Sequence, residues 1–239
     1  MSSPDLQSLC RYDYDSCRTR PVTTVTLVEA AVESLEEALS AQRAGCSRIE
    51  LCANLSEGGT TPDPGLIART VRECRIPIFV MIRPRAGDFV YSPAEIDFML
   101  SQIGVARSSG AAGIVTGALD AHDEIDGRTV ARLLLATQPL PLTFHRAFDR
   151  CANLPQALDE LTGIGVKRVL TSGGARTAAE GAGNLAQMVQ RSRGRIAILA
   201  GGKIRADNVA ELVSNTGVSE VHSRYLDEGS MRDLVSRAG

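Results

Sequence analysis

Two pairs of side chains that could transfer protons or bind a metal have one residue between their members. Glu50 precedes Cys52 by two positions, and Glu220 precedes His222 by the same interval. Residues two apart in a β-strand project from one face, so each pair predicts two polar groups at one site. Carboxylate and imidazole groups are suited to moving protons, whereas a thiol with imidazoles is suited to binding Cu(I).

The elements that position these residues follow a regular alternation. Beyond about residue 24, short apolar runs alternate with amphipathic helical segments to the end of the chain. Each run is rich in Val, Ile, Leu or Phe, as expected for parallel strands that are buried on both faces. Capping motifs begin several helices: Ser34 with Glu37, Ser92 with Glu95, and Asn153. The predicted strands cover 25–29, 47–52, 77–82, 112–116, 141–145, 167–171, 196–200 and 219–223.

Glycines identify the repeating unit. Gly45, Gly110, Gly165 and Gly217 each precede an apolar run by a few residues, where a helix would end in a left-handed residue. They introduce every second strand, which indicates a βαβα unit used four times. Eight alternating units predict an α/β fold, a single (β/α)8 TIM-type barrel over residues 25–239. A doubly wound open sheet is the alternative, but its usual G-x-G-x-x-G turn is absent.

Such barrels carry their active sites at the C-terminal ends of the strands. The residues at these ends are mostly ionisable, hydroxyl-bearing or glycine. The candidates for catalysis are Glu29, Glu50, Arg83, His145 and Asp149. The candidates for binding an anion or another ligand are Arg85, Thr171, Ser172, Gly201, Gly202, His222 and Ser223. The alternative is a structural network in which Arg83 pairs with Glu50 or Glu29 to fix barrel closure.

Composition excludes several classes of protein. The 239 residues carry a formal net charge of −2, which gives no electrostatic case for nucleic acid or an anionic membrane surface. No apolar run approaches the roughly 20 residues needed to span a bilayer. Residues 1–24 lack the apolar stretch of a signal peptide and are predicted to be a poorly ordered tail. We therefore expect a cytoplasmic protein, and barrels of this size often form homo-oligomers.

Seven collinear segments are distinctive in sequence: Arg48-Ile-Glu-Leu-Cys52, Glu57-Gly-Gly-Thr-Thr-Pro62, Met81-Ile-Arg-Pro-Arg-Ala-Gly-Asp-Phe89, Thr143-Phe-His-Arg-Ala-Phe-Asp149, Val169-Leu-Thr-Ser-Gly173, Ala200-Gly-Gly202 and Glu220-Val-His222. Together they resemble the CutC family, over roughly residues 25–223. The resemblance implies a cytoplasmic copper-binding TIM-type barrel with a role in copper homeostasis. The metal ligands that it implies here are Cys52, His145 and His222, with copper as Cu(I).

This sequence departs from the family pattern at several positions. Ala31 and Val32 stand just after the predicted first strand, where family members commonly carry cysteine, and Lys203 replaces a glycine. The last helix is expected to be abbreviated. The first functional expectation is a copper homeostasis protein. The alternative is an enzyme, a lyase, isomerase or hydrolase, that acts on a small anionic or phosphorylated substrate. A non-catalytic scaffold is the third possibility.

Overall fold

A computed structural model describes residues 26–239, so the predicted tail at 1–24 lies outside the described residues. Eight parallel strands form a closed barrel in sequence order, with β1 paired to both β2 and β8. Eight α-helices alternate with the strands, and the predicted (β/α)8 barrel is confirmed. None of the helices within 26–239 combines the length and the apolar character needed to cross a membrane.

The strands lie where the apolar runs predicted them, with one instructive difference. β1 was expected to end at Glu29 but continues to Val32, because Ala30, Ala31 and Val32 pair in register with β2. Ala31 and Val32 are therefore part of the strand rather than of the loop after it. The strands are β1 Leu27–Val32, β2 Arg48–Leu51, β3 Ile78–Met81, β4 Gly113–Thr116, β5 Leu142–Phe144, β6 Arg168–Thr171, β7 Ala197–Gly201 and β8 Glu220–Arg224.

The helices begin and end with the predicted chemistry. Ser92 and Glu95 form a complete capping box, in which each side chain accepts a hydrogen bond from the other's main-chain N–H. Ser34 also caps its helix, but the Glu37 carboxylate accepts from the N–H of Glu33 instead. The helices are α1 Leu35–Arg43, α2 Pro64–Glu73, α3 Pro93–Ser108, α4 Gly127–Thr137, α5 Leu154–Ile164, α6 Ala182–Ser192, α7 Val209–Thr216 and α8 Glu228–Ala238.

The last helix equals α4, α5 and α6 in length, so the expectation of an abbreviated one was wrong. α8 has 11 residues, and its apolar side chains Met231 and Leu234 are buried. Asp227 is its N-cap residue, whose side chain accepts a hydrogen bond from the N–H of Ser230.

The strand register determines which side chains enter the barrel. Glu29 lies beside Arg48 on β2 and beside His222 on β8, while Ala31 lies beside Glu50. Because alternate residues share a face, these side chains point inward and their neighbours pack outward against the helices. The outer layer is mainly apolar, whereas the barrel interior holds charged groups at several levels.

Candidate functional site

A cavity of about 360 Å³ opens at the C-terminal ends of the strands. Its wall combines inward-facing strand residues with residues that follow β2, β3 and β5. This is the end of a TIM-type barrel at which active sites are built. The lining residues are Ala31, Glu50, Leu55, Glu57, Gly58, Met81, Arg83, Phe89, His145, Arg146, Leu170, His222 and Arg224.

Glu50 is the buried acid of this cavity. Its side chain is almost fully buried, and its Oε1 atom has no hydrogen-bond partner within the described chain. Burial, with a smaller contribution from the negative charge of Glu29, raises the pKa of Glu50 to about 7. A carboxyl group with this pKa exchanges its proton near neutral pH, as a general acid or base requires.

His222 connects two carboxylates. Its Nδ1 atom lies 2.8 Å from Oε1 of Glu29, and its Nε2 atom lies 3.8 Å from Oε2 of Glu50. Burial alone lowers the pKa of His222, but the carboxylates of Glu50 and Glu29 outweigh it and hold the pKa above the usual value. The bond to Glu29 fixes the orientation of the ring and directs Nε2 toward Glu50.

A buried ion-pair network lies beneath these groups. Arg48 bonds to Glu29 through Nε and to Glu220 at 2.7 Å, and Arg168 also bonds to Glu220. Burial raises the pKa of Glu29, but Arg48 and His222 overcome this effect and lower it to about 2. Glu29 is therefore a permanent carboxylate that orients His222. Glu220 is the first residue of β8 and lies deep in the barrel, not at its C-terminal end as expected.

Arg83 has a different set of partners from the one predicted. Its guanidinium donates to the carbonyl oxygens of Glu57, Gly59 and Gly87, at 2.9–3.3 Å. It also lies 4.7 Å from the centre of the Phe89 ring. The pairing of Arg83 with Glu50 or Glu29, which the structural alternative required, was wrong. Arg48 on β2 forms the ion pair with Glu29 instead. Arg83 instead joins the loops after β2 and β3 and retains its positive charge in the cavity wall.

His145 follows β5 and begins the short helix Arg146–Arg150. Its Nδ1 atom accepts a hydrogen bond from the main-chain N–H of Ala147 at 3.4 Å, while its Nε2 atom is buried without a partner in the described chain. Burial, assisted by the positive charge of Arg83, lowers the pKa of His145 to about 3. The imidazole is therefore neutral at physiological pH.

Two arginines at the mouth of the cavity were not among the predicted site residues. Arg146 and Arg224 are exposed and line the same cavity as Glu50. Arg146 bonds to Asp149, and Arg224 is 3.4 Å from Glu33. The sequence held a signal for Arg224, since it follows His222 by two residues and so shares its face of β8.

The predicted anion site after β6 is filled by the protein itself. The carboxylate of Asp149 accepts hydrogen bonds from the N–H groups of Ser172 and Gly174 and from the Thr171 hydroxyl. It also accepts from Nε of Arg146 at 2.8 Å. Asp149, Thr171 and Ser172 therefore connect the loops after β5 and β6. Asp149 lines a separate cavity of about 350 Å³ beside α6, away from Glu50.

The remaining predicted ligand-binding residues also lie outside the cavity lining. Arg85 bonds to Glu95 at 2.5 Å and to nearby main-chain carbonyls. Gly201 and Gly202 are in tight packing, where a Cβ atom would lie 2.6 Å from Leu170 and 3.0 Å from Ser172, respectively. Ser223 points outward and accepts from Arg205 at 2.8 Å. Of all the residues predicted to bind a ligand, only His222 lines the cavity with Glu50. Ser223 is its neighbour on β8 and therefore projects from the opposite face of the strand.

A family model for CutC matches residues 26–226. The chain belongs to the CutC family. A CutC family protein of Pasteurella multocida is 46% identical over 195 residues, which span 82% of this chain and 80% of that protein. A human copper homeostasis protein cutC homolog is 43% identical, across 82% of this chain and 72% of its own length. The crystal structure of a putative copper homeostasis protein CutC from Streptococcus agalactiae superposes with a TM-score of 0.78 at 35% identity, across 82% of this chain and 97% of that one.

The ligands that the family resemblance implied for copper do not fit a Cu(I) centre here. Cys52 is fully buried and is not among the residues that line the cavity. Burial and the adjacent Glu50 carboxylate raise the pKa of its thiol well above the usual value, which disfavours the thiolate that Cu(I) requires. Ala31, which faces the cavity, provides no second sulfur, and Val32 is buried on the other face of β1.

A harder cation is also poorly matched to this cluster. Glu29, Glu50 and His222 place one potential ligand atom each within 4.8 Å of one another. However, Arg48 bonds directly to Glu29 and brings a permanent positive charge next to any bound ion. The Nδ1 atom of His222 is also occupied by Glu29. The same arrangement suits proton transfer, in which Glu29 orients His222 and Arg48 keeps Glu29 ionised.

Proposed function

We propose that this CutC family member is an enzyme that moves protons on a small anionic substrate in the cavity at the C-terminal ends of its strands. The observation that carries the proposal is the buried Oε1 atom of Glu50, which has no hydrogen-bond partner in the described chain. The other carboxyl oxygen, Oε2, lies 3.8 Å from Nε2 of the imidazole that Glu29 orients. A purely structural carboxyl group would have satisfied hydrogen bonds, because burying an unpaired polar group costs about 1–3 kcal/mol. A substrate that bonds to Glu50 removes this cost.

The balance of charge favours an anion. Arg83, Arg146 and Arg224 line the cavity with the carboxyl groups of Glu50 and Glu57. Arg146 and Arg224 also pair with Asp149 and Glu33, which lie outside the lining, so Arg83 is the lining arginine without a carboxylate partner in the described chain. The partners of Arg83 are neutral carbonyl oxygens, so its charge remains uncompensated. Arginine binds carboxylates and phosphates with two parallel hydrogen bonds. We infer that Arg224 and Arg146 hold the anionic end of the substrate at the mouth, and that its reacting end extends to Glu50.

Binding of small anions to a matched pair of arginine variants tests this proposal. The probes are pyruvate, malonate and dihydroxyacetone phosphate, and the readouts are thermal stabilisation and calorimetric affinity. Arg224→Gln removes a cavity charge, whereas Arg232→Gln removes an exposed α8 arginine that pairs with Glu228. We expect Arg224→Gln to weaken binding at least tenfold and Arg232→Gln to leave it unchanged. Equal effects of both substitutions, or no binding to the unmodified protein, would refute an anion site here.

Copper binding is the second candidate function, and the names of the human and streptococcal relatives favour it. Anaerobic titration with Cu(I) against a competing chelator, on the unmodified protein and on Cys52→Ala, distinguishes it from the first. We expect weak binding that does not depend on Cys52, because the buried thiol resists deprotonation. Tight stoichiometric binding that Cys52→Ala abolishes would instead support a copper role. Under either function we expect a cytoplasmic protein whose partners are small molecules or ions.

A further inference from the structure

His145 is locked in one tautomer by its own helix. It is the N-cap residue of Arg146–Arg150, and its Nδ1 atom accepts from the N–H of Ala147. A neutral imidazole carries one proton, so an Nδ1 atom that accepts a hydrogen bond places that proton on Nε2. Gly117 packs against the ring, where a Cβ atom would come within 2.8 Å of Nδ1. The ring is thus held between its helix and Gly117, with Nε2–H as its free donor.

The surroundings of His145 leave this donor unsatisfied. The side chain is 3% exposed, lines the cavity that contains Glu50, and has no acceptor for Nε2 in the described chain. Its ring packs 4.9 Å from that of Phe89, which excludes water from this side. Burial, together with the positive charge of Arg83 in the same wall, opposes a second proton on the ring and lowers its pKa to about 3. His145 therefore acts as a fixed neutral donor and not as a proton shuttle.

We infer that His145 donates its Nε2–H to a carbonyl oxygen of the substrate while Glu50 removes a proton from the adjacent carbon. This inference rests on the proposed function and specifies its reaction class, the enolisation of a small anionic carbonyl compound. A neutral imidazole is suited to this role because it stabilises a developing oxyanion without first surrendering its proton to it. Glu50 supplies the base in the same cavity, and His222 supports its ionised form.

The step is balanced without any oxidant or reductant. The carboxylate of Glu50 takes the proton from carbon, and the C–H electron pair becomes the second bond of a C=C group. The carbonyl π pair moves to oxygen, which accepts the hydrogen bond from Nε2 of His145. The Glu50 carboxyl group then returns a proton to carbon. In D₂O the acid proton exchanges with solvent, so a deuteron is returned and the substrate becomes labelled.

The first test is the tautomer, which does not depend on activity. Nitrogen-15 NMR of the unmodified protein, with His145 assigned from His145→Gln, should show a neutral ring protonated at Nε2 from pH 5 to pH 8. His122, an exposed histidine in the loop after β4, provides the internal reference signals of an imidazole outside the cavity. Protonation of His145 between pH 5 and pH 8, or a proton on Nδ1, would overturn the inference.

The second test is deuterium exchange at carbon, followed by proton NMR with pyruvate and dihydroxyacetone phosphate as probes. We expect the unmodified protein to label the carbon next to the carbonyl faster than buffer does. His145→Leu should slow exchange about 100-fold or more, the usual cost of one oxyanion donor. His145→Gln, which retains an N–H donor, should lose less, and His122→Gln should lose nothing. Equal exchange rates in His145→Leu and the unmodified protein would refute the role of His145.

Binding measurements on the same samples separate two kinds of failure. Probes that bind through Arg224 but are not labelled would refute enolisation and leave the anion site intact. Probes that do not bind at all would refute both the proposed function and this inference. Thermal unfolding of each variant identifies a loss of exchange that is due to a loss of folded protein.

Discussion

Glu50→Gln should stabilise the protein at alkaline pH and have little effect at pH 5. The folded chain keeps its proton on Glu50 up to a pKa of about 7, whereas the unfolded chain releases it near the ordinary value of 4.5. Between these values the folded state binds more protons, so the free energy of unfolding falls as the pH rises. Glutamine resembles the protonated acid in shape and does not ionise, so it avoids this loss.

The size of the effect follows from the two pKa values. Each tenfold change in proton affinity corresponds to about 1.4 kcal/mol, so the move from 4.5 to about 7 corresponds to about 3 kcal/mol. Because Glu50 is only 2% exposed, solvent screening reduces this free energy only slightly. His222 changes in the same direction, because its pKa is also raised in the folded state and it loses the negative charge of Glu50 in the variant. We therefore expect Glu50→Gln to gain about 2–3 kcal/mol relative to the unmodified protein between pH 5 and pH 8.

Urea unfolding at pH 5, 6, 7 and 8, at constant ionic strength, measures this difference. Glu57→Gln is the matched control, since Glu57 lines the same cavity but is exposed. Its stability relative to the unmodified protein should stay constant across these values to within about 0.5 kcal/mol. A pH-independent difference for Glu50→Gln would refute the reasoning, because it would mean that Glu50 is already ionised at pH 5 in the folded state. A loss of stability that grows with pH would refute it as well.

Further predictions concern the groups that support the site. Arg48→Met should lower the free energy of unfolding in urea by about 3–5 kcal/mol, because it removes the arginine that pairs with the buried carboxylates of Glu29 and Glu220. Arg43→Met, on the exposed face of α1, should lower it by less than about 1 kcal/mol. Asp149→Asn should lower the melting temperature by about 5–10 °C, because it breaks charged hydrogen bonds between the loops after β5 and β6; an unchanged melting temperature would contradict this bonding. Ser92→Ala should cost about 1 kcal/mol through loss of the α3 capping box, and a cost near zero would show that the cap is dispensable.

Local sequence patterns were sufficient to predict the fold and to bring Glu50 and His222 to the same end of the barrel. The apolar runs, and glycines such as Gly45 and Gly165 with φ values of 94° and 100°, report local backbone preferences that do not depend on distant residues. The period of two along a strand likewise places Glu50 and His222 on inward faces. These inferences held because helix termini and strand alternation are properties of neighbouring residues.

Which charged groups bond to each other depends on long-range packing and not on local sequence. Arg48 bonds to Glu29 and Glu220 because barrel closure makes β1 the neighbour of both β2 and β8, and no local pattern encodes this pairing of strands. The same reason accounts for the errors in the predicted anion site. Asp149 lies in the loop after β5, and its carboxylate accepts hydrogen bonds from main-chain N–H groups after β6. The glycine and hydroxyl residues that were predicted to bind an anion therefore already have a partner. A sequence shows which side chains share a face, but the closure of the barrel selects their partners.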